Sequence, residues 1–216
     1  MKVIAVNGSP RTNRNTATLL QEALDGAKSR GAETKLIHLY DLSYKGCASC
    51  LSCKRKGSRL NGLCAMKDDL KEVLREILES DALLLGSPIY FGNVTGEMRS
   101  FLERLLFPNL SYNEGERSTF KGRINSGFIY TMNVTEERAI EVNYEAVFQG
   151  NRNLLQILGG DSEILLSCDT YQFTDYSKYE ASRFDAAQKA RVREEQFPID
   201  RQKAFELGGR LVVSSM

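Results

Sequence analysis

Residues 81–93, DALLLGSPIYFGN, limit the fold more than any other stretch of this chain. The unbroken apolar run before Gly-Ser-Pro reads as a strand buried on both faces, which requires helices packed above and below a sheet. The rest of the chain supplies that rhythm. Residues 3–6 form an apolar strand, NGSPRTNRNT supplies turn chemistry, and ATLLQEALDGAKSRG places Leu19, Leu20, Ala23, Leu24 and Ala27 on one helical face. ETKLIHLYDL reads as a second strand. KDDLKEVLREILES reads as a helix with Leu70, Val73, Leu74, Ile77 and Leu78 as its stripe. Beyond the central strand come a helix (GEMRSFLERLLF), a strand (GRINSGFIYTMN), one long helix over 136–158 and a fifth strand (GDSEILLSCDTY). The tail over 178–213 is charged and periodic, and Pro198 is expected to divide it. Strands alternating with helices predict an open α/β fold around one parallel sheet.

At 216 residues the chain suits one domain spanning 1–216, with a cysteine-rich loop at about 46–66 and a helical C-terminal extension from about 176. A net charge of +1, with 26% charged residues, gives no electrostatic footprint for nucleic acid. No apolar run reaches the roughly 18 residues that a membrane span needs. The apolar start MKVIAVNGSP ends in a turn, so no signal peptide is expected and the expected location is cytoplasmic. In that reducing compartment, clustered cysteines point to metal binding or redox chemistry rather than to a disulfide framework.

In an open parallel sheet, ligands bind beyond the carboxyl ends of the strands. The loop after the first strand has neither G-x-G-x-x-G nor G-x-x-x-x-G-K-[ST], so it matches no dinucleotide fingerprint and no nucleoside-triphosphate loop. It carries Ser9, Thr12, Asn13, Asn15 and Thr16 just ahead of a helix, with Arg11 adding charge. Hydroxyls, amides and unpaired N–H groups at a helix N-terminus suit a phosphate dianion. An ordinary capped turn has the same composition; the position after the first strand favours the anion site. The loop after the central strand offers Pro88 and two aromatics, Tyr90 and Phe91, on a turn ending at Gly92. That suits a flat ring system. Packing of both aromatics into the core or a subunit contact is the competing reading.

Residues 46–64, GCASCLSCKRKGSRLNGLC, hold four of the five cysteines. Cys47, Cys50 and Cys53 are three apart and Cys64 follows after ten other residues. C-x2-C-x2-C with a remote fourth cysteine is the ligand spacing of a [4Fe–4S] cluster. Four thiolates also satisfy a zinc site, though zinc usually shows paired C-x2-C motifs; metal-free thiols are the third reading. Cys53 and Arg59 fit the C-x5-R spacing of cysteine phosphatases, but no apolar strand directly precedes the loop between them. Lys54, Arg55, Lys56 and Arg59 make the loop basic, suited either to solvent or to an acidic electron carrier. Cys168 and His38 lie in predicted strands and read as packing residues. No acid–base residue for catalysis is singled out.

The two ligand loops resemble those of the flavodoxin-like NADPH-dependent FMN reductases. The residues that carry the likeness are Gly8-Ser9-Pro10-Arg11 with Asn15-Thr16, Ser87-Pro88-Ile89-Tyr90-Phe91-Gly92, and Phe101-Leu102-Glu103-Arg104, where glutamate replaces the family's aspartate. The likeness covers roughly residues 1–170, and the cysteine run is similar to that of the family's iron–sulfur flavoprotein branch, with a longer gap before Cys64. The resemblance implies a flavodoxin-like five-stranded parallel sheet in order 2-1-3-4-5, with helices on both faces. It implies FMN, with Ser9, Arg11, Asn13, Asn15 and Thr16 around the phosphate and Pro88, Ile89, Tyr90, Phe91, Gly92 and Asn93 along the flavin ring. Thr131, Met132 and Asn133 would meet the other side of the ring. It further implies a [4Fe–4S] cluster on Cys47, Cys50, Cys53 and Cys64, NAD(P)H or an electron carrier such as ferredoxin as partner, and a homodimer or homotetramer. The activity expected is that of an NAD(P)H:FMN or quinone reductase. A non-catalytic FMN electron carrier or redox sensor with metal-free or zinc-bound cysteines is the alternative.

Overall fold

A computed structural model describes residues 1–213. Five parallel strands form one sheet: β1 (Lys2–Asn7), β2 (Glu33–His38), β3 (Ala82–Tyr90), β5 (Ile124–Thr131) and β6 (Gly159–Ser167), in spatial order β2-β1-β3-β5-β6. β4 (Asn93–Val94) is a two-residue arm that folds back antiparallel on the end of β3. Counting only the parallel strands, this is the 2-1-3-4-5 order that the resemblance implied.

The register brings Asn7 level with both His38 of β2 and Gly86 of β3, so the carboxyl ends of the three strands open at one edge. Alternate side chains of the buried strands feed two cores. Val3, Ala5 and Leu84 pack under α1 (Asn15–Ser29) and α7 (Phe197–Val213). Ile4, Val6, Leu83 and Leu85 pack on the other face, with residues of α2 (Leu70–Leu78), α3 (Gly96–Leu106) and α5 (Glu145–Leu155). Residues 82–87 of β3 are wholly buried, as a strand covered on both faces must be.

α1 and α7 approach through glycines. A Cβ on Gly26 would lie 1.9 Å from the carbonyl oxygen of Phe205, and one on Gly208 would lie 1.7 Å from that of Ala23. Only glycine admits that separation.

Two helix expectations need correction. The stretch over 136–158 is not one helix: α4 (Glu136–Glu141) ends at a turn in which Asn143 takes φ +55°, and α5 starts anew at Glu145. Nor does Pro198 divide the tail. α6 (Ala186–Arg191) runs through a π-helical turn, Val192–Gln196, into α7. Proline lacks an N–H and its ring crowds the carbonyl four residues back; the wider π turn just before it accommodates both, so the helix continues.

Candidate functional site

The loop after β1 is built by a short relay of hydrogen bonds. Asn7, fully buried at the end of β1, accepts the Ser9 N–H on Oδ1 at 3.0 Å, and its Nδ2 lies 2.9 Å from the His38 Nδ1. Ser9 Oγ in turn accepts the Arg11 N–H at 3.1 Å. His38 therefore does more than pack, since it orients the amide that shapes the loop. Thr95 holds the loop from the other side, donating its hydroxyl to the Gly8 carbonyl at 2.6 Å. The N-cap of α1 is Arg14, which provides no side-chain cap, and the first turn holds no acidic residue. The opening N–H groups of α1 thus face the strand edge without an intrahelical acceptor.

The loop after β3 is a hairpin rather than an irregular turn. Ile89 pairs with Val94 and Tyr90 with Asn93, leaving Phe91 and Gly92 as its two central residues at φ +49° and +79°. Two positive φ values define the turn that matches strand twist, but a bulky residue in the first position is a steric outlier. Phe91 is held there with a side-chain surface that is fully solvent-facing (109% relative exposure).

Together these loops bound a cleft of ≈ 580 Å³ at the strand edge. Ser9, Arg11, Asn15, Thr16, Pro88, Ile89, Tyr90, Phe91, Thr131, Met132 and Asn133 all line it. Asn13 lies outside, on the far side of the first loop, and Gly92 and Asn93 of the hairpin do not line the cleft. Thr16 and Thr131 meet through their hydroxyls at 2.8 Å, joining the first helix to the end of β5. Asn133 leaves Oδ1 buried with no hydrogen-bond partner. Among the described residues no carboxylate, cysteine or histidine side chain lines the cleft.

The far wall was not anticipated from the sequence. Thr170, Tyr171, Gln172 and Phe173 follow β6 as a strap, joined by Phe184. Arg11 donates to the Gln172 carbonyl at 2.7 Å and Asn15 Nδ2 to that of Tyr171 at 3.0 Å, closing the strap on the first loop. Lys189 of α6, itself buried, anchors the third loop through the Asn133 carbonyl at 2.6 Å and an ion pair with Asp169. The available signal was the aromatic density of residues 171–184, where the helix expected from about 176 does not begin until Ala186.

Cys47, Cys50, Cys53 and Cys64 line a second, small, mostly apolar cavity with Met66, Phe107 and Arg104. The residues between Cys53 and Cys64 loop outward, with Gly57 and Gly62 at φ +73° and +81°, and Cys64 returns to the cavity wall as a buried side chain. Ser49 and Leu51 take φ +52° and +56°, strain that keeps the first three cysteines on a tight turn. Glu103 accepts the Cys47 N–H at 3.2 Å and Arg104 donates to the Lys45 carbonyl at 2.8 Å, so the Phe-Leu-Glu-Arg stretch serves the cysteine loop. The Ser52 amide and hydroxyl lower the exposed Cys50 thiol below its usual range, whereas burial raises that of Cys53. Cys168 stands apart, its thiol pushed up to about 12 by burial. Four thiols on one wall fit the donor set of an iron–sulfur cluster, although among the described residues no three metal-binding side chains are grouped closely enough to hold a metal ion.

Lys54 is not a free surface charge. It donates to the carbonyls of Pro108 and Leu110 and lies 4.8 Å from the Phe107 ring centroid. Arg55, Lys56 and Arg59 are exposed. No helix among the described residues is long and apolar enough to cross a membrane.

Residues 1–129 match the model of the NADPH-dependent FMN reductase family. An iron–sulfur flavoprotein of Methanocaldococcus jannaschii is 39% identical over 104 residues, 48% of this chain and 51% of that protein. One from Archaeoglobus fulgidus is 42% identical over 104 residues, 48% of each. The chain thus matches about half the length of these curated relatives. Among solved structures, an NAD(P)H:quinone oxidoreductase from Methanothermobacter marburgensis superposes with TM-score 0.72 at 16% identity over 98% of both chains. An azoreductase from Bacillus anthracis gives 0.68 at 13% identity, covering 97% of this chain and 99% of that one. At such identities the likeness is one of fold.

Proposed function

The chain belongs to the NADPH-dependent FMN reductase family, and from that premise we propose that it is an FMN-dependent oxidoreductase that takes reducing equivalents from a nicotinamide nucleotide and passes them to a quinone-like or protein acceptor. The observation that carries the reading is the cleft's polarity. One end has uncapped helix amides, Ser9 and Arg11; the remainder is walled by Pro88, Ile89, Tyr90 and Phe91. That is the complement of a phosphate joined to a flat heteroaromatic ring.

FMN, when bound, supplies hydride and single-electron chemistry that no side chain can. The chain's part is to hold and orient it. Ser9, Arg11, Asn15, Thr16 and the α1 amides would bind the phosphate, with Asn13 outside the cleft on the far side of the loop. Pro88, Ile89, Tyr90 and Phe91 would lie along the ring, with Gly92 and Asn93 shaping their hairpin. Thr131 and Asn133 would meet the ring's polar edge, where the unpartnered Asn133 Oδ1 offers an acceptor.

The same reading assigns a [4Fe–4S] cluster to Cys47, Cys50, Cys53 and Cys64, supported by their shared cavity and by the names of the curated relatives. Arg104, beside Cys64, would place a positive charge next to such a cluster and favour its reduced state. An acidic carrier such as ferredoxin would find Arg55, Lys56 and Arg59 on the outer loop. A homodimer or homotetramer is supported by the fully exposed Phe91, a large apolar ring that a second copy would cover. Free thiols in this number suit a cytoplasmic setting.

The test is the visible spectrum of protein purified without oxygen, followed by addition of NADPH. Flavin bands that bleach on NADPH, with broad additional absorption and matching iron and sulfide, are expected. A colourless protein that also fails to bind added FMN overturns the reading.

A further inference from the structure

The flavin cleft has a neighbour. Arg11, Arg14 and Arg193 line a second cleft of ≈ 670 Å³ on the outer side of the loop at residues 10–15. Among the described residues none of the three is ion-paired with a carboxylate, and no aspartate or glutamate lines this cleft. Arg11 donates to the Gln172 carbonyl at 2.7 Å and Arg193 to Asn15 Oδ1 at 3.3 Å, bonds to neutral groups that orient the guanidinium groups without neutralising them. Partial burial, with Arg201 and Arg14 as neighbouring cations, holds Arg193 below the usual guanidinium range. Arg201 has its own partner in Glu22, so Arg14 and Arg193 are the charges left unanswered.

The junction of the two clefts limits what the outer one can hold. They share Arg11, Arg14, Asn15 and the strap of Tyr171, Gln172 and Phe173 as a common wall. Arg11 and Asn15 belong to the phosphate end of the flavin cleft, whereas none of residues 88–91 or 131–133, along the ring, lines the outer cleft. A group in the outer cleft therefore continues a flavin mononucleotide past its phosphate and not across its ring. Asn13, expected at the phosphate, lines the outer cleft alone. Gathered like charges are unfavourable unless an anion joins them. A single phosphate at the α1 amides leaves Arg193 unanswered, because Arg193 lines only the outer cleft; a second phosphate joined to the first answers it. The outer cleft also has an aromatic face. Phe173 and Tyr179 stack at 4.0 Å with 14° between their planes, and Tyr179 is 54% exposed, a surface on which a planar base can lie.

We propose that the two clefts together hold flavin adenine dinucleotide (FAD): the flavin and its own phosphate in the inner cleft, the adenosine phosphate at Arg14 and Arg193, and the adenine on the Tyr179–Phe173 stack. The chain takes FMN through the inner cleft alone and retains FAD more tightly, because only the dinucleotide reaches the outer arginines. This rests on the flavin reading above and deepens it, since it names the flavin that the whole cradle fits.

The experiment equilibrates the full chain at low salt with an equimolar excess of FMN and FAD, removes free flavin, and identifies the bound flavin by chromatography. FAD is expected to exceed FMN by about ten-fold or more, and Arg193→Gln is expected to bring the ratio to within about three-fold of parity. Arg14→Gln, at an exposed residue, is the second variant and should move the ratio the same way, with circular dichroism checking both folds. A ratio near one in the unmodified chain, or a ratio unchanged in both variants, overturns the proposal. Equal loss of FMN and FAD in the variants assigns these arginines to the inner phosphate and overturns it too. Retention of neither flavin counts against the flavin reading alone; calorimetry with 5′-AMP then decides the outer cleft separately. Binding of 5′-AMP that Arg193→Gln removes upholds the adenylate site, and no binding overturns it.

Discussion

Arg104 and Asp68 meet through two parallel hydrogen bonds of 2.7 and 2.9 Å, with the arginine side chain wholly buried and the carboxylate partly exposed. The same guanidinium holds the Lys45 carbonyl at 2.8 Å. One residue of α3 thus clamps both ends of the cysteine loop, upstream of Cys47 and downstream of Cys64. Removing Asp68 leaves a buried charge alone, and removing Arg104 empties a wholly buried site and frees both the carboxylate and the Lys45 carbonyl. Arg104→Ala or Asp68→Ala should cost about 3–5 kcal/mol in urea unfolding, and Arg104→Lys should recover little because an ammonium cannot make the paired contact. A loss below about 1 kcal/mol in Arg104→Ala would show that the clamp is not structural.

The pair also sets an acid limit. Arg104 holds the Asp68 carboxyl below its ordinary value of 3.8. A depressed folded-state pKa means stability that is present above the unfolded value and lost as pH falls through the folded one. The urea midpoint of the wild-type chain should therefore fall on acidification below about pH 4. Asp68→Asn should be less stable at neutral pH and should show a shallower acid decline. Parallel pH profiles for the two proteins would refute the assignment.

Phe91 at φ +49° carries a left-handed backbone cost of about 1–2 kcal/mol for a non-glycine residue. Since its ring has no packing within the chain to lose, Phe91→Gly should raise the stability of the FMN-free monomer, by roughly 1 kcal/mol after the flexibility gained by the unfolded chain is subtracted. Flavin affinity should fall in the same variant. Fluorescence titration and thermal unfolding together test this; lower stability with undiminished flavin affinity would contradict it.

The basic loop divides into two kinds of charge. Lys54→Met should loosen the 107–112 segment and lower the unfolding midpoint, because Lys54 tethers the Pro108 and Leu110 carbonyls. Neutralising Arg55, Lys56 and Arg59 should leave the midpoint within about 0.5 kcal/mol. It should instead slow reduction by an acidic carrier protein at low salt, with the difference vanishing at high salt. An unchanged low-salt rate would dismiss docking at this loop.

Strand–helix alternation was legible because it is periodic and local. The apolar run of β3, the stripe of α1 and the turn chemistry at residues 7–16 each follow from neighbours in sequence, and with them the two principal loops of the cleft. Helix continuity was less legible: whether the chain turns at Asn143, or stays helical past Pro198, depends on local geometry that periodicity does not encode. The relay from His38 through Asn7 to Ser9 was hidden because it joins two strands 31 residues apart.

By itself, then, the amino-acid sequence determined the parallel sheet, its order through the family likeness, and the residue chemistry of the loops after β1 and β3, because backbone preference and burial pattern are written residue by residue. Only the tertiary structure decided that Cys64 returns to the cavity of Cys47, Cys50 and Cys53 after its ten-residue excursion, that Glu103 and Arg104 serve that loop, and that a strap after β6 closes the cleft. Each of these is a contact between residues distant in sequence, formed only when the sheet register and the packing of α3 bring them together.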